Sequence, residues 1–264
     1  MTMDAARTDL PKVLGVPQYG YARPLWLGLR SRPEFSFVED VPAQLAIKLR
    51  GRALTAALLS PIDYARDYAM YRIAPGAGIS SNRHSRTVLL YFNKGLKEVR
   101  TIAASPASSS EIVLAEIIFA EVFNLRPAIV PMYGSCNEML QKADAALVID
   151  SESLLAGEDV EALDLVDEWS DISGLPYVHH IWVCREGDLA TGEMRLLAEG
   201  ARQWKTRLDE VRENRDKEAI EAYFERFSFA LANDALDGLM EFLRMAYYHG
   251  ILEDVPDVKV HRLE

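Results

Sequence analysis

Thr101-Ile-Ala-Ala-Ser-Pro-Ala-Ser-Ser-Ser-Glu111, followed by an apolar run from Ile112 to Phe123, is the stretch that decides the fold of this chain. Its first four residues have the composition of a short strand, and the Ser-Pro pair after them ends that strand. The run after Glu111 is apolar on nearly all sides, interrupted only by Glu116 and Glu121, and this pattern predicts a buried helix. A buried helix directly after a strand is typical of the β–α units of an α/β sheet.

Three serines, Ser108, Ser109 and Ser110, stand where the buried helix is predicted to begin. Serine is a preferred N-cap, because its oxygen accepts a backbone N–H of the first turn. The start of a helix also offers unpaired N–H groups and the positive end of the helix dipole, which together favour anions. The pattern is that of an ordinary serine-rich cap, and it also suits a binding site for a carboxylate or phosphate.

Strand–helix alternation also organises the N-terminal third of the chain. Strands are predicted at Lys12–Val16, Phe35–Glu39 and Leu54–Leu59, and each precedes a proline at the first position of a helix, where proline is favoured. This order predicts a parallel sheet with helices on its faces. Ligands bind such sheets beyond the carboxyl ends of the strands, which here carry Tyr19–Tyr21 and Ser60.

The middle of the chain predicts a second α/β unit. Tyr71–Ser81 and Thr87–Phe92 are further predicted strands, after which the β–α order begins again, and Val178–Arg185 is a strand that returns to the first sheet. The predicted fold class is therefore α/β with two lobes, mixed sheets and a helical C-terminal segment. Residues 1–93 and 180–264 are expected to form lobe I and residues 94–179 lobe II, with a small ligand in the cleft between them.

Composition excludes several classes of partner. The chain has 264 residues and a formal net charge of −11 without a basic stripe, which argues against nucleic acid or an anionic membrane as a partner. No apolar run approaches the length of a membrane span. The first twelve residues have no apolar segment typical of a secretion signal, so a cytoplasmic location is expected.

Few residues suggest a metal or a cofactor, and none is expected. Cys136 and Cys184 match neither a disulfide framework nor a zinc spacing. His179 and His180 are adjacent in a predicted strand, so their side chains are expected on opposite faces, where they cannot share one metal. The chain also lacks a G-x-S-x-G motif for a nucleophilic serine.

A series of short motifs follows in a fixed order from Lys12 to Glu253. They are Tyr19-Gly-Tyr-Ala-Arg-Pro-Leu25, Glu39-Asp-Val-Pro42, Ala56-Ala-Leu-Leu-Ser60, Ser108-Ser-Ser110, Ala143-Asp-Ala-Ala146, Glu168-Trp169, Gly174-Leu-Pro-Tyr177 and Trp182. Their order and spacing resemble those of the chorismate dehydratases, which act in the futalosine route to menaquinone. The resemblance implies a type 2 periplasmic-binding-protein fold. It also implies a lyase that removes water from chorismate and leaves an aromatic enolpyruvyl ether.

The resemblance also implies roles for individual residues. Catalysis is expected at Tyr21, where the family usually has Asn, and at Thr87, near where it has Ser. The residues expected to bind substrate are Ser60, Arg86, Ser105, Ser108, Ser109, Ser110, Asp150 and His179.

The expected partner is a small anionic substrate. Chorismate carries two carboxylates, which suit hydroxyls at a helix N-terminus. Loss of water makes its ring aromatic, so the protein needs mainly to orient the substrate and to handle one proton. Two alternatives stay open: a carboxylate-binding protein of the same fold without catalysis, and a paralogue that acts on a different substrate.

Overall fold

The computed structural model describes residues 10–149, 162–207, 209 and 217–262, which form two mixed sheets with helices packed around them. None of the helices in these ranges is both long and apolar enough to cross a bilayer.

The first sheet has six strands in the described residues. Their bounds are β1 Lys12–Pro17, β2 Phe35–Asp40, β3 Ala56–Leu59, β4 Tyr71–Ser81, β10 Tyr177–Arg185 and β11 Phe227–Ser228. Their order across the sheet is β11-β4-β10-β3-β1-β2. The strand β1 pairs in parallel with β2 and β3, whereas β10 is antiparallel to β3 and β4.

The second sheet has five strands within the described ranges. Their bounds are β5 Val88–Phe92, β6 Thr101–Ala104, β7 Ala128–Pro131, β8 Ala145–Ile149 and β9 Ala162–Asp164. Their order across the sheet is β7-β6-β8-β5-β9. Here β6 is parallel to β7 and β8, and β5 is antiparallel to β8 and β9. The predicted boundary at residue 93 is wrong for β5, because this strand pairs in the second sheet and the chain has already crossed over between residues 81 and 88.

Eight helices of the described ranges cover the sheets. They are α1 Pro42–Arg50, α2 Pro61–Ala65, α3 Ser109–Phe123, α4 Cys136–Leu140, α5 Leu165–Ser173, α6 Thr191–Arg202, α7 Lys217–Phe224 and α8 Asn233–Tyr248, with short 3-10 turns such as Gly20–Leu25 between them. The return strand and the helical C-terminal segment agree with the sequence-based prediction.

The helix α3 is buried, as its composition predicts. Leu114, Ile117, Ile118 and Phe119 are fully excluded from solvent. They belong to one apolar core that includes residues of both sheets, and α3 packs against α2, α5 and α8. The helix therefore lies where the two halves of the molecule meet, and its first turn lies next to α2 of the first half.

The crossover from β4 to β5 contains residues with an unusual backbone conformation. Arg83, His84 and Arg86 have left-handed conformations with φ of 65°, 50° and 52°, which cost energy for residues other than glycine. Carboxylates around α5 fix this segment: Asp164 accepts from the Arg86 N–H at 2.8 Å, and Asp167 pairs with His84.

Candidate functional site

A pocket of about 250 Å³ lies between the two sheets. Residues just beyond or at the carboxyl ends of β1, β2, β6, β7 and β8 form its wall, including Tyr19, Val41, Ser105, Ser108, Tyr133 and Ile149. The carboxyl ends of parallel strands are where open α/β sheets bind ligands. None of the described residues that line the pocket is charged, so a bound ligand would meet hydroxyls, backbone groups and apolar side chains.

Two larger hollows, of about 560 and 450 Å³, lie against the C-terminal segment at Lys259–His261 and Ile251–Asp254. Neither opens at the carboxyl ends of parallel strands. Position in the fold therefore favours the smaller pocket as the candidate site, despite its smaller volume.

Two of the predicted serines line this pocket. Ser105 directly follows β6, and its oxygen accepts the Ala107 N–H at 3.3 Å. Ser108 is the residue before α3, but its side chain makes no capping hydrogen bond. Ser108 lines the pocket instead, at the N-terminal end of the buried helix. Ser108 thus occupies the predicted N-cap position, but without the predicted side-chain hydrogen bond.

The other predicted serines join α2 to α3 and do not line the pocket. Ser60 caps α2 by accepting the Asp63 N–H and donates to the Asp63 carboxylate at 2.8 Å. The Ser109 oxygen lies 3.4 Å from that of Ser60, and the Ser110 oxygen accepts the Ile62 N–H at 2.9 Å. All of these side chains are buried, so they join the two halves of the molecule through contacts that exclude water.

Tyr21 lies one layer behind the pocket wall. Its ring is fully buried and stacks on Tyr19 at 5.3 Å with an interplanar angle of 14°. On Phe227 it stacks at 5.5 Å and 15°. Its hydroxyl is 3.4 Å from His180 Nδ1. In this structure Tyr21 supports Tyr19, and Tyr19 is the tyrosine that lines the pocket.

His179 and His180 both contact the Tyr21 ring, with centroids 5.3 and 5.8 Å away. The prediction that strand alternation separates them is wrong, because β10 shifts register against β4 between Val178 and His180. Ser81 lies 2.7 Å from His179 Nε2. Burial lowers the pKa of each imidazole to about 3, and for His179 the neighbouring His180 adds to the effect. Both are therefore neutral at physiological pH.

Two further predicted residues, Arg86 and Thr87, lie in the crossover from β4 to β5. Thr87 is buried, and its hydroxyl bonds that of Ser85 at 2.8 Å. Arg86 reaches Asp164 through its backbone N–H. Asp150 lies outside the described residues. The structure thus brings Ser105 and Ser108 to the pocket and places Tyr21, Thr87 and His179 in buried hydrogen-bonded layers.

Within the described part of the chain no three His, Cys, Asp or Glu side chains are grouped as a metal site.

Glu111 is a buried acid that the sequence reasoning missed. It lies in the first turn of α3 and is 2% exposed. Burial raises the pKa of its carboxyl to about 7, the charge of Asp63 adds to the rise, and its own backbone N–H opposes it. An acidic residue in a first turn is ordinarily read as a partner of the helix dipole. Only the packing of α3 against the other half shows that water is excluded here.

Replacing Glu111 by Gln is expected to remove a pH-dependent loss of stability. The folded pKa of about 7 lies above the value of 4.5 for an exposed glutamate. Stability is therefore full below the lower value and falls as the pH rises through the higher one. Between about pH 5 and pH 7 the wild-type free energy of unfolding should fall by about 2 kcal/mol relative to Glu111→Gln. Urea unfolding at both pH values measures this, with the exposed α7 variant Glu218→Gln as control; a Glu111→Gln protein with the wild-type pH dependence would contradict it.

Two sheets joined by crossovers, with a pocket at the strand ends between them, define the class of periplasmic-binding-protein-like folds. A structural-genomics protein from Archaeoglobus fulgidus aligns with a TM-score of 0.73 at 17% identity, covering 93% of this chain and 100% of that one. The aliphatic sulphonate binding protein SsuA of Escherichia coli aligns at 0.64 and 14% identity, covering 97% and 93%. A Candida albicans protein described as having the generic periplasmic binding protein fold aligns at 0.66 and 12%, covering 92% and 91%. The predicted fold class is confirmed.

The particular family follows from the sequence. The family model described as menaquinone biosynthesis matches residues 13–248, and the chain belongs to this family. A chorismate dehydratase from Thermus thermophilus is 25% identical over 223 residues, which cover 77% of this chain and 81% of that protein. The predicted family resemblance is therefore confirmed.

Proposed function

We propose that this protein is a hydro-lyase that removes water from chorismate, or from a closely related cyclic enolpyruvyl acid, in the futalosine route to menaquinone. The observation that carries the proposal is the pocket at the strand ends of a chain from a menaquinone biosynthesis family. The similarity to the Thermus thermophilus chorismate dehydratase supports the choice of reaction.

The reaction needs few catalytic groups from the protein. One C–H and one C–O bond break at neighbouring ring carbons, the proton and the hydroxide leave together as water, and the six-membered ring becomes aromatic. Because no charged side chain lines the described wall, the protein contributes mainly by orientation, with hydroxyls that bind carboxylates or donate to the leaving group. Ser105 and Ser108 are the hydroxyls in position for this role. The neutral His179–Ser81 and His180–Tyr21 pairs support the wall from behind.

The same wall also suits a protein that binds a carboxylate without transforming it. The observation in favour of this second candidate is that none of the described lining residues is a carboxylate, a histidine or a lysine that could act as a base. Binding of chorismate without turnover would identify this function, and turnover would exclude it.

Incubation with chorismate, followed by mass spectrometry, is the experiment that tests the proposal. The expected result is an aromatic product with the mass of the substrate less one water.

Ser108→Ala removes a pocket hydroxyl that would bind a charged group, and such a hydrogen bond contributes about 1.5 kcal/mol or somewhat more. The variant should therefore lower kcat/KM about tenfold. Ser36→Ala, on the exposed face of β2, is the matched control. Unchanged chorismate after incubation with wild-type protein would refute the dehydration of chorismate. Equal rates for both variants would contradict a role for Ser108 in binding or catalysis.

A further inference from the structure

Three aromatic rings form a nearly parallel stack that ends at the pocket. Phe227 and Tyr21 are 5.5 Å apart with an interplanar angle of 15°, and Tyr21 and Tyr19 are 5.3 Å apart at 14°. Phe227 and Tyr21 are buried, and Tyr19 is half-buried and lines the pocket. One face of the Tyr19 ring is therefore covered by Tyr21, and the part of Tyr19 that stays exposed lines the pocket.

The rest of the structure holds this stack rigidly. His179 packs against both Tyr21 and Phe227, with centroids 5.3 and 5.7 Å away. His180 meets the Tyr19 ring edge-on at 5.9 Å, and its Nδ1 atom is 3.4 Å from the Tyr21 hydroxyl. A ring whose orientation is set by packing presents a preorganised surface, so little is lost in ordering it when a ligand binds.

We infer that Tyr19 is the ring-binding residue of the site and that it selects ligands with a flat, unsaturated ring, which would bind as the next member of the stack. Offset stacking of two π systems is favourable beyond the area buried, whereas a puckered saturated ring cannot make the same contact. The inference rests on the proposed function for the reaction itself, and it adds the part of the substrate that Tyr19 recognises. It has a further consequence: dehydration flattens the ring fully, so the aromatic product should bind more tightly than the substrate and inhibit the enzyme.

The opposite wall supports a ring-shaped ligand. Tyr133 follows β7 in the second sheet, lines the same pocket and is 73% exposed. Met139 and Leu147 add apolar surface to the same pocket. The hydroxyls of Ser105 and Ser108 are the polar groups that would orient the carboxylates of such a ligand.

The test compares two probes of equal charge that differ in the ring. The probes are 3-methoxybenzoate and 3-methoxycyclohexanecarboxylate, and their dissociation constants are measured by titration calorimetry. Wild-type protein is expected to bind the aromatic probe about 3- to 10-fold more tightly, the range that one aromatic contact gives. Tyr19→Leu should abolish this preference, and Tyr19→Phe, which keeps the ring, should retain it. Tyr247→Leu, which removes a half-exposed tyrosine on α8, controls for the loss of a tyrosine elsewhere.

Every other outcome overturns the inference. Equal affinity of wild-type protein for the two probes, failure of both probes to bind, or a preference that survives in Tyr19→Leu each contradicts a role for Tyr19 in ring recognition. The result is independent of the chorismate experiment. A protein that prefers the flat ring but leaves chorismate unchanged keeps this inference and loses the proposed reaction, and turnover without the preference does the reverse.

Discussion

Lowering the pH from about 7 to about 5 is expected to reduce the free energy of unfolding by about 4 kcal/mol through His179 and His180. The folded pKa of each imidazole is held at about 3 by burial, whereas the value for an exposed histidine is 6.5. The unfolded chain therefore binds protons in this window and the folded chain does not. Each histidine contributes stability that is present above pH 6.5 and is lost as the pH falls toward the folded pKa. Over the stated window the loss is about 2 kcal/mol for each ring.

The histidine contribution is measured by removing one ring. Urea unfolding of His180→Gln at both pH values should show a pH-dependent loss smaller by about 2 kcal/mol than that of wild type, whatever the variant costs at neutral pH. His180→Phe should give the same reduction, because it removes the same titrating group. Glu111 acts in the opposite direction over this window and is unchanged in both variants, so the difference isolates the histidine. A pH dependence identical to wild type in both variants would show that these rings are not buried neutral groups.

Gly238→Ala is expected to destabilise the fold by about 3 kcal/mol. Gly238 is buried in α8, where a Cβ atom would lie 2.1 Å from the Pro176 carbonyl oxygen and 3.2 Å from its carbonyl carbon. Both are backbone atoms, so the helix must move away from the segment that enters β10. The better helix propensity of alanine, about 1 kcal/mol, offsets only part of the cost.

Gly192→Ala is the matched control, because Gly192 lies in α6 and a Cβ there would meet no atom within 4 Å. This variant should be as stable as wild type or more stable by up to about 1 kcal/mol. Thermal and urea unfolding of the two variants give the comparison. Equal stability of Gly238→Ala and Gly192→Ala would mean that α8 does not pack so closely on Pro176.

Local sequence patterns predict most of the architecture. Apolar runs, and the residues that end them, predict the strand Thr101–Ala104, the buried helix after it and the return strand, and the structure contains all three. The error at β5 has a physical cause. A run such as Val88–Phe92 shows that a strand forms, but hydrogen bonds to β8 and β9, which follow much later in the chain, decide which sheet it joins.

The site was only partly predictable, for a related reason. Ser105 and Ser108 both line the pocket, and their predicted role in binding substrate stays a prediction. Ser109 and Ser110 are adjacent in sequence, yet the next turn of the helix directs them to α2. The sequence places Tyr19 at the carboxyl end of a strand, where ligands bind, but its part in a stack with Tyr21 and Phe227 depends on a residue that is distant in sequence.

The sequence by itself determined the class of fold, the order of its units and the family, because these depend on periodicity and on motifs that are local or evenly spaced along the chain. The tertiary structure decided which hydroxyls face the ligand, that His179 and His180 share one aromatic cluster, and that Glu111 is excluded from water. Burial and hydrogen bonding of a side chain are set by whatever packs against it. In this protein those neighbours come from the other half of the molecule or from strands far away in the chain.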